Sequence, residues 1–151
     1  RYTPSSLENT KTPFMDHLGV VVQRDVFYHT VALFHACRAI ANVVSEIFKI
    51  EVNKDYLLTG ALLHDIGKLF EYKEDGTHTG ILLDHSTIAA AEIYLRGFPE
   101  EIIHIISSHS GSLYNPPITI EAIILHYLDS MLSLIESKIL LEKRSGKKGG
   151  L

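Results

Sequence analysis

The stretch Gly60-Ala61-Leu62-Leu63-His64-Asp65-Ile66-Gly67-Lys68 ends an apolar helical run in an adjacent imidazole and carboxylate, followed by a glycine and a lysine. Successive side chains on a helix point about 100° apart, so His64 and Asp65 cannot serve one target across a flat helix face. At a helix end both can converge on something small. A metal ion is the small target that suits an imidazole beside a carboxylate. Taken alone, the pair reads more readily as a capped helix end with a buried histidine and a solvated aspartate. Further histidines and a second aspartate in helical contexts turn the reading toward metal.

At 151 residues the chain fits one domain with enough apolar content for a real core. The formal charge of −4 gives none of the basic surplus that marks a nucleic-acid binder by composition. A single cysteine, Cys37, rules out an internal disulfide framework and fits a reducing, cytoplasmic setting. No apolar run reads as a membrane span and no signal-peptide pattern opens the chain, so no membrane partner is expected. The first residue is Arg rather than Met, which points to a trimmed chain. The anomaly is nine histidines spread along the sequence, at 17, 29, 35, 64, 78, 85, 104, 109 and 126. They form no tract, which argues for a distributed site.

Residues 1–26 read as a lead-in packing on the domain, irregular over 1–13 and a short helix over 14–26. Helical spacing of Val31, Leu33, Phe34, Cys37, Ile40, Val44 and Phe48 predicts a helix over 28–50 that carries His35. Asn53 caps the next helix, which runs to the His-Asp pair. Residues 69–83 lack helical period and contain the turn signal Glu74-Asp75-Gly76, so a loop or small hairpin is expected over the site. Asp84 caps a helix over 85–96 with Gly97 as its stop. Pro99 opens a further helix that reaches His109 and stops at Gly111. Pro116 and Pro117 form a rigid connector to a final helix over 119–143, and residues 145–151 read as a solvated, disordered tail. The sum is an all-α bundle of about five to seven helices, with an irregular or hairpin insertion near 70–83. The domain proper is expected over 27–144.

His35, His64, Asp65 and Asp129 come from different helices, the way bundles build metal sites. Asp129 lies among Leu125, Leu128, Met131 and Leu132, where burial is costly unless the carboxylate is paired or bound. The alternative puts it on a wet face with Ser130 and Ser133. His85, just behind its cap, and His109, just before a glycine, are placed to reach into a shared pocket. His126 precedes Asp129 by one turn and can hydrogen-bond a ligand or a phosphate. Lys68 can meet phosphate charge or the dipole at a helix C-terminus, and Gly67 lets a substrate approach the backbone. With Arg38 and Lys73, Lys68 supplies enough positive charge for one or two phosphates and too little for a polymer.

These residues carry a resemblance. The chain is similar to the HD-domain superfamily of metal-dependent phosphohydrolases, whose pattern is His, then His-Asp, then Asp. Within it, the order of features most resembles the HD domain of the bacterial 3′→5′ exoribonuclease group. The similarity covers residues 27–135. Tyr28-His29-Thr30 with Leu33-Phe34-His35 resembles that group's opening, in which a His-containing stretch precedes the first ligand. Gly80-Ile81-Leu82-Leu83-Asp84-His85 resembles its middle histidine, and Leu125-His126-Tyr127-Leu128-Asp129 its last-ligand helix. Ile106-Ser107-Ser108-His109-Ser110-Gly111 stands where the group has a His-His pair, so Ser110 replaces the second histidine, while Phe34 replaces a common Glu. The resemblance implies a primary metal shell of His35, His64, Asp65 and Asp129, with Asp65, His85 and His109 left for a second ion. It implies hydrolysis of a phosphate ester by a metal-activated water, with Asp65 and Lys68 catalytic, and His126, Arg38 and Ser110 around the substrate. The ion is a divalent transition metal, with manganese, iron, nickel, cobalt and zinc all suited to these donors, and one tight ion is expected. The expected substrate is a nucleotide or short oligonucleotide, with longer nucleic acid less favoured and a homo-oligomer left open. A metal-holding or nucleotide-sensing module without turnover, serving a larger assembly, is the alternative.

Overall fold

Four side chains set where the long helices begin. Asp25, Asn53, Asp84 and Thr119 each accept a hydrogen bond from the backbone amide three residues on, at Tyr28, Tyr56, Thr87 and Ala122. Each satisfies a donor that the first helical turn leaves without a partner. In the computed structural model, which describes residues 3–146, the elements follow in chain order. They are β1 (Lys11–Met15), β2 (Val21–Asp25), α1 (Val26–Phe48), α2 (Lys54–Leu63), α3 (Lys68–Glu71), α4 (His85–Leu95), α5 (Glu100–Ser107) and α6 (Ile120–Arg144). The expected all-α architecture holds, with one two-stranded hairpin added to it.

The core lies where α1, α2 and α6 meet. Leu33, Cys37, Leu57, Ala61, Ile105 and Leu125 are fully buried or nearly so, and truncating one of the leucines should cost about 2–5 kcal/mol. A second cluster of Ala89, Ile93, Ile102 and Ile106 joins α4 to α5. Gly60 sets how closely α2 approaches α5, since a Cβ there would lie 2.5 Å from Ile105 Cγ2. By length and composition α1 is apolar enough to cross a membrane, which the sequence reading had excluded. Its buried stripe of His29, Leu33, Cys37 and Ala41 packs toward α2 and α6.

Two regions differ from expectation. Residues 14–26 form no short helix: Phe14 and Met15 end β1, and Val21–Asp25 return antiparallel beside it. Alternation decides this, because Thr12, Phe14, Val22 and Arg24 turn inward while Lys11, Pro13, Val21 and Gln23 face out. Asp16 closes the turn by accepting from the amides of Leu18 and Val20, and Gly19 takes the left-handed conformation at φ 78°. Over 69–83 a single helical turn, α3, precedes the loop, whose ends meet in one bridge between Tyr72 and His78. Of the expected tail, Ser145 and Gly146 finish the last helical turn, and the remainder lies outside the described residues.

Candidate metal centre

His64 caps α2 at its C-terminus and is fully buried. Its Nδ1–H donates to the Ala61 carbonyl at 2.8 Å, so the Nε2 lone pair is the free one. Burial lowers its basicity. Asp65 follows in the tight turn between α2 and α3 and is buried as well. Its Oδ2 accepts from Lys68 Nζ at 2.7 Å and lies 3.2 Å from His64 Nε2. Its Oδ1 lies 3.6 Å from both His85 Nε2 and His109 Nε2. Burial alone would raise the Asp65 carboxyl, but His64 and Lys68 hold it well below the usual carboxylate range.

Two sets of donors result. His29, His64 and Asp129 place one ligand atom each within 4.8 Å of the others, and Asp65, His85 and His109 do the same. Asp65 stands between them, with one oxygen toward each. In each set one buried donor atom lacks a hydrogen-bond partner among the described residues: His64 Nε2 in the first, Asp65 Oδ1 in the second. A buried lone pair without a partner costs free energy that a cation would recover. The donor chemistry, imidazole plus carboxylate, fits a divalent transition metal.

The first ligand is a correction. His35, expected from the sequence to open the shell, is exposed on the outer side of α1, where its Nδ1 lies 3.2 Å from Arg38 Nη2. His29 takes its place. The two lie six residues apart, about 240° around the helix, so only one can face inward. His29 falls on the stripe of Leu33 and Cys37, spaced by four, and that spacing was the signal in the sequence. Its Nε2 donates to Asp129 Oδ1 at 2.8 Å and its Nδ1 to Glu136 Oε1 at 2.9 Å. Burial pushes this imidazole down, but the hydrogen bonds to Asp129 and Glu136 outweigh it and raise the pKa to about 9. Asp129 faces inward rather than sitting on a wet face; burial raises its carboxyl, and the His29 hydrogen bond brings it below the usual range.

Behind the donors stands a layer of support, much of it invisible in the sequence. Glu136 holds His29 Nδ1, and the buried Arg24 of β2 reaches Glu136 at 3.5 Å and the Ser133 hydroxyl. Glu71 lies 3.4 Å from His85 Nδ1. His109 Nδ1–H donates to the Ile106 carbonyl, and His126 Nδ1–H donates to the His109 carbonyl at 2.7 Å. His126 therefore positions the His109 turn from behind. Gly111, at φ 71°, makes room for that ring, since a Cβ would lie 2.5 Å from His126 Cε1. Burial lowers His109, but the Asp65 and Asp129 carboxylates raise it above the ordinary histidine value. Such outer partners fix ring orientation in metal sites.

The remaining expected residues separate. Lys68 is buried against Asp65, and it lines a cavity of about 320 Å³ together with His85, His109, Ser110 and Asp129. Ser110 is exposed and shares a hydrogen bond with Ser86. Arg38 is exposed beside His35 and does not reach the cavity. Gly67 admits a neighbouring backbone rather than a substrate: a Cβ there would fall 1.9 Å from the His85 carbonyl oxygen, so α4 could not start where it does.

A family model for the HD domain matches residues 26–133. A curated relative, the dihydroneopterin 2′,3′-cyclic phosphate phosphodiesterase of Methanocaldococcus jannaschii, is 46% identical over 114 residues, which cover 71% of this chain and 45% of that protein. The chain thus spans less than half the length of that relative. No solved structure matches it. With two adjacent His/Asp clusters and a family match over most of its helices, the chain belongs to the HD domain family.

Proposed function

We propose that the chain is a metal-dependent phosphodiesterase acting on a small, nucleotide-like phosphate ester. The observation that carries this reading is Asp65, placed between two donor sets and paired with Lys68 at the cavity wall. A bound divalent ion would polarise a phosphoryl oxygen and lower the pKa of an attacking water. His29, His64, Asp129 and Asp65 would hold a first ion tightly. Asp65, His85 and His109 would hold a second more weakly, because Ser110 offers no imidazole. Lys68 brings a fixed positive charge beside Asp65 to where phosphate oxygens would lie, and His126 keeps His109 from turning away. The 46% identity to a protein named for a cyclic phosphate diester supports this substrate class. The net charge of −4 and the few cations near the cavity favour short substrates over a polymer. The free, buried Cys37 supports a reducing, cytoplasmic setting.

The test begins with protein purified without chelator or metal-affinity steps and analysed for its elements. A guanosine 2′,3′-cyclic phosphate substrate is then incubated with native, chelator-treated and metal-restored protein. Hydrolysis that disappears with the metal and returns with it is expected. Stoichiometric metal without turnover of any phosphodiester or phosphomonoester would instead establish a metal-holding module.

A further inference from the structure

The cavity is lined by two kinds of side chain. Its polar part has Lys68, His85, His109 and Asp129, with Arg24 and the hydroxyls of Ser110, Ser130 and Ser133; its apolar side chains are Phe14 of β1 and Leu134 of α6, the latter 42% exposed. A phosphate needs only the polar part. At about 320 Å³ the cavity is large enough for a small organic ligand as well as its phosphate.

Phe14 is held from two sides. It pairs with Val22 across the hairpin, and Thr12 pairs with Arg24, so Phe14 and Arg24 are diagonal neighbours on the inner face. The Arg24 guanidinium carbon lies 4.7 Å from the centre of the Phe14 ring, over its face. Arg24 is itself anchored to Ser133 and Glu136 of α6. The ring is thus held by a cation that is tied to the support of the metal ligand His29. The hairpin lies ahead of the matched region at 26–133, so the family pattern assigns it no role.

We propose that Phe14, with Leu134, forms a subsite for a planar aromatic heterocycle carried by the substrate, an inference that rests on the phosphodiester reading for the polar part. A flat ring stacks on Phe14 while its phosphate reaches Lys68 and the donor sets. Such stacking tolerates many ring systems, because every base has a π-face, and it selects against esters that have no ring.

The experiment separates binding from turnover. Manganese-loaded protein is titrated calorimetrically with guanosine 2′-monophosphate and with glycerol 2-phosphate, and hydrolysis of the matching cyclic phosphates is followed by phosphorus NMR. The unmodified protein should prefer the ring-bearing probe. Phe14→Leu, which keeps apolar bulk, should reduce that preference about tenfold, and Phe14→Trp should retain it. Equal binding of the two probes by the unmodified protein would overturn the subsite. So would a Phe14→Leu protein that keeps the full preference, or one that loses affinity for both probes alike. Ring-selective, Phe14-dependent binding without hydrolysis would uphold the subsite while overturning the phosphodiesterase reading.

Discussion

His29 Nε2 and Asp129 Oδ1 lie 2.8 Å apart although 100 residues separate them in the chain. That contact joins the first turn of α1 to the middle of α6, and the His64-Asp65 turn fills the space beside it. The centre therefore exists only when three helices are docked.

Replacing Asp65 with Ala removes the carboxylate that stands between the two donor sets. Elemental analysis should find metal lost from both positions, and phosphodiester hydrolysis should fall to background. Lys68 is left buried without its partner, costing about 3 kcal/mol of stability, while the helical circular-dichroism signal persists. A variant that retains stoichiometric metal would sink the assignment.

His29 and His35 are separated by a matched pair of substitutions. His29→Ala should abolish tight binding of the first ion, whereas His35→Ala should change neither metal content nor stability by more than about 0.5 kcal/mol. Glu136→Gln, one shell out, should weaken the first ion about 10–100-fold in a chelator competition. Metal loss in the His35 variant would restore the reading that the structure displaced.

The second ion should be the weaker one. Protein dialysed against mild chelator is expected to retain one ion and lose the other. Ser110→His should raise occupancy of the Asp65, His85 and His109 set. Two ions that both resist dialysis in the unmodified protein would show that Ser110 is no deficit.

The metal-free protein should lose stability in alkaline solution. His29 is raised from about 6.5 to about 9, so its contribution is complete below pH 6.5 and disappears as pH climbs through 9. Its full value is about 3 kcal/mol. Asp65 and Asp129 are shifted the other way, so their contributions hold above about pH 4 and fade below it. Urea denaturation in the presence of chelator should therefore show greater stability at pH 6 than at pH 9.5. The opposite order would mean that His29 is not held as an imidazolium.

Short substrates should be turned over faster than long ones. At physiological salt, a dinucleotide should be hydrolysed in preference to a long single strand. The described cavity offers too few cations to follow a phosphate backbone. A preference for the long strand that falls steeply with added salt would overturn this.

The sequence revealed the helices well, because caps such as Asn53, Asp84 and Thr119 are side chains with a direct local job. It also pointed to His64, Asp65, His85, His109 and Asp129, which the structure brings together with His29 in two adjacent donor clusters. It misled at His35, since a helix with apolar residues on nearly every face gives no sharp inward direction. Only the spacing of His29, Leu33 and Cys37 separates the two histidines. The hairpin was missed because a five-residue strand beside a glycine turn carries little helical or strand signal of its own. Arg24, Glu71 and Glu136 were beyond reach, as each acts through partners distant in sequence, and nothing local marks a charged residue that will be buried by another helix.

Asp25 is the last residue of β2 and also the cap of α1, so strand and helix meet with no slack between them. His29 follows four residues later. Anything that displaces the hairpin, whether a fused domain pulling on the chain ahead of Lys11 or a crosslink across the strands, is transmitted through a stiff joint to the first metal ligand. A tag or a neighbouring domain attached ahead of the hairpin therefore works as a lever on the centre.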